Sequence, residues 1–145
     1  MDKLTKGYKA LVRGSWRLFY LSHRSWAKAF EEMGLSTSTY SPLEMIVLQP
    51  GITQQEISDE LSIDKSCTSR ACRFLEDNGF IRKEKSTDCT HGYKCYPTDK
   101  GTEACEKVIE IENTHIHALF EEIDANQLET ASELFEKLIG KLNTQ

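Results

Sequence analysis

TQQEISDELSIDKSCTSRACRFLEDNGFIRKEK, residues 53–85, is the stretch on which the fold turns. Thr53-Gln54-Gln55-Glu56 has the spacing of a capping box, a hydroxyl before the first helical turn and a carboxylate three residues on, each satisfying a free backbone N–H. Ile57, Leu61 and Ile63 follow at the spacing of a short helix and the turn after it. Asp64 is placed to cap a second helix from Lys65, which carries Phe74 and Leu75 and ends at Asn78-Gly79, where glycine takes the left-handed conformation that closes a helix. Phe80-Ile81-Arg82-Lys83-Glu84-Lys85 and Tyr93-Lys94-Cys95-Tyr96 read as short strands around a polar loop, Ser86 to Gly92. Short helix, tight turn, longer helix and hairpin predict a winged helix-turn-helix with a two-stranded β-hairpin wing.

The flanks are helical, so the expected class is mainly α. Ser41-Pro42-Leu43-Glu44 predicts a helix start with proline at the first helical position, running through Met45-Ile46-Val47-Leu48 to the breaker pair Pro50-Gly51. Before it, Leu4, Tyr8, Leu11, Trp16, Phe19 and Phe30 lie on one apolar stripe of a long helix that Gly34 is placed to end. After the hairpin, Thr98 is the expected cap of another long helix. Asp124-Ala125-Asn126-Gln127 is a further capping box, and Leu128, Leu134, Leu138 and Leu142 carry an apolar stripe onward.

A chain of 145 residues with 39% hydrophobic composition suits one domain with helical extensions, and excludes a disulfide miniprotein or a multidomain enzyme. No apolar run approaches the roughly 20 residues of a membrane-spanning helix, and no secretory signal pattern opens the chain, so no membrane partner and a cytoplasmic location are expected. Five cysteines, an odd number, favour reduced thiols over a disulfide framework. Nucleophile elbow, phosphate loop, H-E-x-x-H and glycine-rich nucleotide fingerprint are all missing, so neither enzymatic activity nor a cofactor is expected.

The formal net charge of −5 conceals an uneven distribution. Residues 1–33 hold seven Lys/Arg against three Asp/Glu, while residues 102–145 hold three against ten. Between Lys65 and Arg73 there are three basic residues and no acidic one, with Ser66, Thr68 and Ser69 able to donate to phosphates or base edges. Such a helix fits the major groove of double-stranded DNA. Arg82, Lys83, Lys85 and Lys94 add charge on the hairpin, and Thr53 and Gln54 stand where the preceding helix meets a phosphate.

Thr53-Gln54-Gln55-Glu56-Ile57, Leu75-Glu76-Asp77-Asn78-Gly79-Phe80-Ile81 and Thr98-Asp99-Lys100-Gly101, in this order and with a long first helix and two final ones, resemble the MarR (multiple antibiotic resistance regulator) family over nearly the whole chain. The resemblance implies a homodimeric transcription regulator, more often a repressor, reading a pseudo-palindromic operator and released by an effector. It divides the chain into a dimerisation helix at 1–34, a winged helix-turn-helix at 35–100 and dimerisation helices at 101–145. It places Ser66, Thr68, Ser69, Arg70 and Arg73 on the recognition helix and matches Asp88 to the aspartate of the wing. Where the family commonly carries arginines after that aspartate, Cys89 and Thr90 stand, leaving His91 or Lys94 to reach the minor groove. Relatives often hold aromatic ligands near the first helix, which makes Trp16, Tyr20, His23 and Tyr40 the expected effector pocket.

Two further readings compete. Cys67, beside Lys65 and Arg70 near a helix N-terminus, is the candidate for a thiol-based redox-sensing regulator, with Cys72 and Cys105 packed in the core. A winged-helix protein-interaction module without specific DNA binding would differ by lacking a steep salt dependence. No metal site is expected, since His115 and His117 are two apart and fall on opposite sides of a helix.

Overall fold

The computed structural model of the protein describes residues 1–86, 92–120 and 123–144. The chain divides into two compact units, Met1–Ile109 and Glu110–Gln145. In the first, α1 (Lys3–Met33) opens at Asp2, whose carboxylate accepts from the Thr5 N–H at 2.9 Å and the Thr5 hydroxyl at 2.6 Å. It closes at Gly34 in the left-handed conformation, φ 69°. Phe30, near its end, is buried and stacks on Tyr40 with ring centroids 4.8 Å apart.

The next helix starts earlier than expected. α2 (Thr37–Leu48) is capped by Ser36, whose backbone N–H donates to the Thr39 hydroxyl at 2.9 Å, so Pro42 lies inside the helix rather than at its first position. Proline there removes only the N–H that would bond the Ser38 carbonyl, and its ring is buried among the core side chains. The end at Leu48 is as expected.

After the Gly51 turn come β1 (Ile52–Thr53), α3 (Gln54–Glu60) and α4 (Lys65–Asp77). The Thr53–Glu56 capping box is formed: the Thr53 N–H and hydroxyl donate to the Glu56 carboxylate at 2.8 and 2.7 Å. The turn between α3 and α4 passes through Ser62 at φ 51° and is clamped by Ser58, whose buried hydroxyl donates to the Ile63 carbonyl at 2.6 Å. Asp64 is the N-cap of α4, but its side chain makes no capping bond. Its carbonyl carries the connection instead, accepting from the Thr68 N–H at 3.0 Å.

β2 (Ile81–Lys85) and β3 (Tyr93–Pro97) form the expected antiparallel hairpin with Lys83 opposite Cys95. The sheet has a third strand that the two-stranded expectation missed: β1 pairs with β3, Ile52 opposite Cys95, in the order β1-β3-β2. At two residues, inside a segment that also caps α3, β1 shows no alternation for a sequence reading to detect.

α5 (Asp99–Phe120) begins beside the hairpin. Thr98 caps it, accepting from the Gly101 N–H at 3.2 Å while its hydroxyl donates to the Gly79 carbonyl at 2.6 Å. Gly101 permits this approach, because a Cβ there would lie 2.2 Å from the Phe80 carbonyl oxygen. Leu43, Ile46, Ile57, Leu75 and Val108 are fully buried in one core, so α2, α3, α4 and the start of α5 share it. In the second unit, α6 (Ala125–Leu142) is capped by Asp124, as the sequence predicts, and buries none of its described side chains. No described helix is long and apolar enough to cross a membrane.

Candidate nucleic-acid interface

α4 has two faces, and the split decides which of its residues can meet a ligand. Thr68, Ala71, Cys72 and Leu75, at helical spacings of three and four, are buried in the core. Lys65, Ser66, Ser69, Arg70 and Arg73 fall on the other side and are exposed, forming one cationic, hydroxyl-bearing stripe. Thr68 is therefore corrected: it is 0% exposed and its hydroxyl donates to the Asp64 carbonyl at 3.3 Å, which leaves it nothing to offer a base or phosphate. The remaining five expected residues of this helix are brought together.

The hairpin offers less free charge than its composition suggests. Arg82 is paired with Glu84 and lies over the Tyr96 ring, 4.6 Å from its centroid. Lys83 is largely buried and held by Glu76 of α4 at 2.7 Å, so it joins helix to sheet. Lys85 is exposed, and Lys94 is partly so, within electrostatic range of Glu56. Asp88 and His91, like Cys89, lie outside the described residues.

At α3, Gln54 is half-exposed, whereas the Thr53 hydroxyl is committed to Glu56. The donated Thr53 backbone N–H and hydroxyl hold the Glu56 carboxyl below the usual carboxylate range. α3 thus presents an acidic outer face, with Asp59 and Glu60 exposed, beside the cationic face of α4.

A cleft of about 1050 Å³ lies behind α4, within the first unit. Phe19, Pro42, Leu61 and Phe74 give it apolar walls, with Arg70, Cys67 and Thr37 also on its lining. The Thr37 hydroxyl is buried and has no hydrogen-bond partner. The four residues expected to line an effector pocket are elsewhere: Trp16 and Tyr20 are 69% and 62% exposed, Tyr40 is buried against Phe30, and His23 stacks between Phe19 and Phe30. Only their neighbour Phe19 reaches the cleft from α1. Nothing in the chain order announces it, because packing of α1, α2 and α4 creates it.

Among the cysteines, Cys67 is exposed, and the Arg70 guanidinium donates to its sulfur at 3.2 Å. Cys72 and Cys105 are buried as expected, and Cys95, expected beside the wing, is buried too. Burial pushes the Cys105 thiol up to about 12, with the Glu44 carboxylate adding to it. Cys72 and Cys95 hydrogen bond each other across α4 and β3.

Residues 28–88 match the model of the MarR family. The chain is 32% identical over 72 residues to an uncharacterized HTH-type transcriptional regulator, YybA, of Bacillus subtilis (strain 168), a match covering 50% of this chain and 48% of that protein. The chain thus matches about half the length of this curated relative. Among solved structures, a MarR protein from Peptoclostridium difficile DA00132 is 27% identical with a TM-score of 0.80, covering 92% of this chain and 87% of that one. The fold is also that of a MarR family transcriptional regulator from Listeria monocytogenes complexed with 26mer DNA, 22% identical, TM-score 0.77, covering 98% and 90% of the two chains.

Proposed function

Because the chain carries a winged helix-turn-helix of the MarR family, we propose that it is a DNA-binding transcription regulator that acts as a homodimer on a pseudo-palindromic operator. The observation that carries this reading is the sorting of α4: its core face is uncharged, and all three of its cations project with Ser66 and Ser69 from the opposite face. A major-groove helix needs that arrangement, since cations neutralise phosphates while hydroxyls and guanidinium groups read base edges. The complex of the Listeria relative with DNA supports it.

The dimer rests on exposed apolar helix faces. On α1, Leu4, Trp16 and Phe19 are 86%, 69% and 54% exposed; on α6, Leu134 and Leu142 are 47% and 60% exposed. Faces of this kind are covered by a partner in a soluble protein, and a second copy of the same chain supplies an equally apolar surface. The cleft behind α4 is the effector site in this reading, taking a small apolar molecule that carries an acceptor for Arg70. Its occupation shifts the population of spacings between the two recognition helices, and with it operator affinity.

Salt-titrated binding to duplex DNA from upstream of the protein's own gene, with a scrambled duplex as control, tests the assignment. Tight binding that favours the upstream duplex and falls steeply with salt is expected. Equal, weak, salt-insensitive binding to both duplexes would overturn it in favour of a protein-docking winged helix. A second reading, thiol-based regulation, rests on the Arg70–Cys67 contact on the same helix. Peroxide would convert the Cys67 thiol to a sulfenic acid with release of water. Loss of DNA binding after mild peroxide, reversed by a thiol reductant and absent in Cys67→Ser, distinguishes this route from small-molecule release.

A further inference from the structure

The one pair of chemically reactive side chains that the proposed function leaves unused is Cys72 and Cys95. Cys72 stands on the core face of the recognition helix α4, and Cys95 is the middle residue of β3. Both are 0% exposed, and the Cys72 thiol donates its proton to the Cys95 sulfur. The sulfurs are thus neighbours from two different elements, inside a core whose remaining lining is hydrocarbon: Ile52 lies opposite Cys95 on one side of β3, and Leu75 follows Cys72 by one helical turn. On the other side of β3, Lys83 lies opposite Cys95 and reaches Glu76 of α4 at 2.7 Å, so an ion pair borders the two thiols.

From this juxtaposition we propose that Cys72 and Cys95 form a two-coordinate site for a soft d10 cation of the silver(I) or copper(I) class, built between the recognition helix and the sheet. Soft thiolates select such ions, and a linear two-sulfur complex needs no third ligand. That separates it from the sites of harder ions: among the described residues no group of three or more His, Cys, Asp and Glu is placed around a common point. Binding breaks two S–H bonds and forms two S–metal bonds; both protons leave to solvent, and no electron is transferred. The bis-thiolate complex of a monovalent cation carries one negative charge, and Lys83 already lies beside the pair to balance it. The direction of proton sharing favours the reaction. Cys72's donated hydrogen bond holds the Cys95 thiol below its usual range and favours its thiolate as first ligand, while that same bond and burial hold Cys72 up until the metal displaces its proton.

The consequence for the molecule is local. The sulfurs of a linear complex stand somewhat farther apart than those of a hydrogen-bonded thiol pair, so loading the site moves α4 outward from β3. α4 carries Lys65, Arg70 and Arg73 on its other face, which couples the site to whatever that face binds.

Silver(I) is the probe of choice because it does not oxidise thiols. In a Cys67→Ser/Cys89→Ser chain, which keeps the buried pair and Cys105, native mass spectrometry in the presence of a competing small thiol should count one silver ion per chain. Cys72→Ala and Cys95→Ala, each added to that chain, should both lower silver affinity at least a hundredfold. Silver retained equally after either substitution, or no silver held against the competing thiol, overturns the proposal. If a core alanine prevents folding, X-ray absorption of the silver-loaded Cys67→Ser/Cys89→Ser chain decides. Two sulfur neighbours in a linear arrangement support the site, and three or more neighbours, or nitrogen and oxygen donors, overturn it. These readouts contain no DNA, so a failure here leaves the regulator assignment intact, and absence of operator binding leaves this site intact.

Discussion

Arg73 is the residue whose loss best separates the two faces of α4. It is exposed on the cationic stripe, two helical turns from Lys65, with no acidic partner printed on its own face. Arg73→Ala is expected to weaken operator binding by about 1–3 kcal/mol if it reads a base, or to lower the salt slope by about 0.9 if it meets a phosphate. Thr68→Val, close by on the helix but turned into the core, should leave both affinity and slope unchanged; a loss equal to that of Arg73→Ala would mean that α4 docks the other way round. A second residue-scale prediction concerns Glu44, half-buried in α2. Burial raises its carboxyl above the usual range, against the opposing effect of the Tyr40 hydroxyl that donates to it at 3.4 Å. A carboxylic acid with a raised pKa in the folded state favours folding while protonated and loses that contribution as pH rises through the folded value. Urea denaturation should therefore show Glu44→Gln more stable than the parent at neutral pH, with the gain vanishing below the ordinary carboxylate pKa of about 4.3. A gain that persists unchanged at pH 3 would point to packing instead.

Between elements, the tightest constraint is the junction of α4, β2 and α5. Thr98 ties the start of α5 to the carbonyls of Gly79 and Phe80, and Lys100 adds a bond to the Asn78 carbonyl at 2.8 Å. Gly101→Ala drives a methyl group against the Phe80 carbonyl, so a loss of about 1–3 kcal/mol in urea denaturation is expected, with far-UV circular dichroism retained. The glycine in Thr98-Asp99-Lys100-Gly101 was legible as part of a motif, but its reason is steric and emerges only when the hairpin is in place. Elsewhere the same distinction holds. Helix ends marked by local chemistry, Gly34, Thr53 with Glu56, Asn78-Gly79 and Asp124 with Gln127, were readable because cap and helix are neighbours in the chain. Ser41-Pro42 misled because it imitates a cap, while Ser36 and Thr39 form the real one. The burial of Thr68 was readable in principle from its spacing to Ala71, Cys72 and Leu75, yet its hydroxyl argued for the surface. The pairing of Lys83 with Glu76, the neighbouring thiols and the cleft depend on how distant segments meet, and no local pattern encodes them.

At the scale of the whole molecule, the proposed function depends on two recognition helices held at a fixed separation, and that makes DNA geometry the most direct probe. α6 buries none of its described side chains within the chain and presents Leu128, Leu134 and Leu142 outward; α1 presents Tyr8, Trp16 and Phe19. If a second copy covers these faces, Leu134→Glu should convert the protein to a monomer by sedimentation, since a carboxylate buried in an apolar interface costs several kcal/mol. The monomer keeps its own α4 surface, so it should still bind DNA, with the affinity and salt dependence of a single half-site. The dimer instead requires half-sites one helical turn apart, about 10 base pairs centre to centre. Inserting about five base pairs between them rotates one half-site to the opposite side of the duplex and should reduce binding to the half-site level, whereas Leu134→Glu should be indifferent to the insertion. Equal affinity of the parent for both spacings would mean that each winged helix acts alone, and that the apolar faces of α1 and α6 serve a contact unconnected with operator reading.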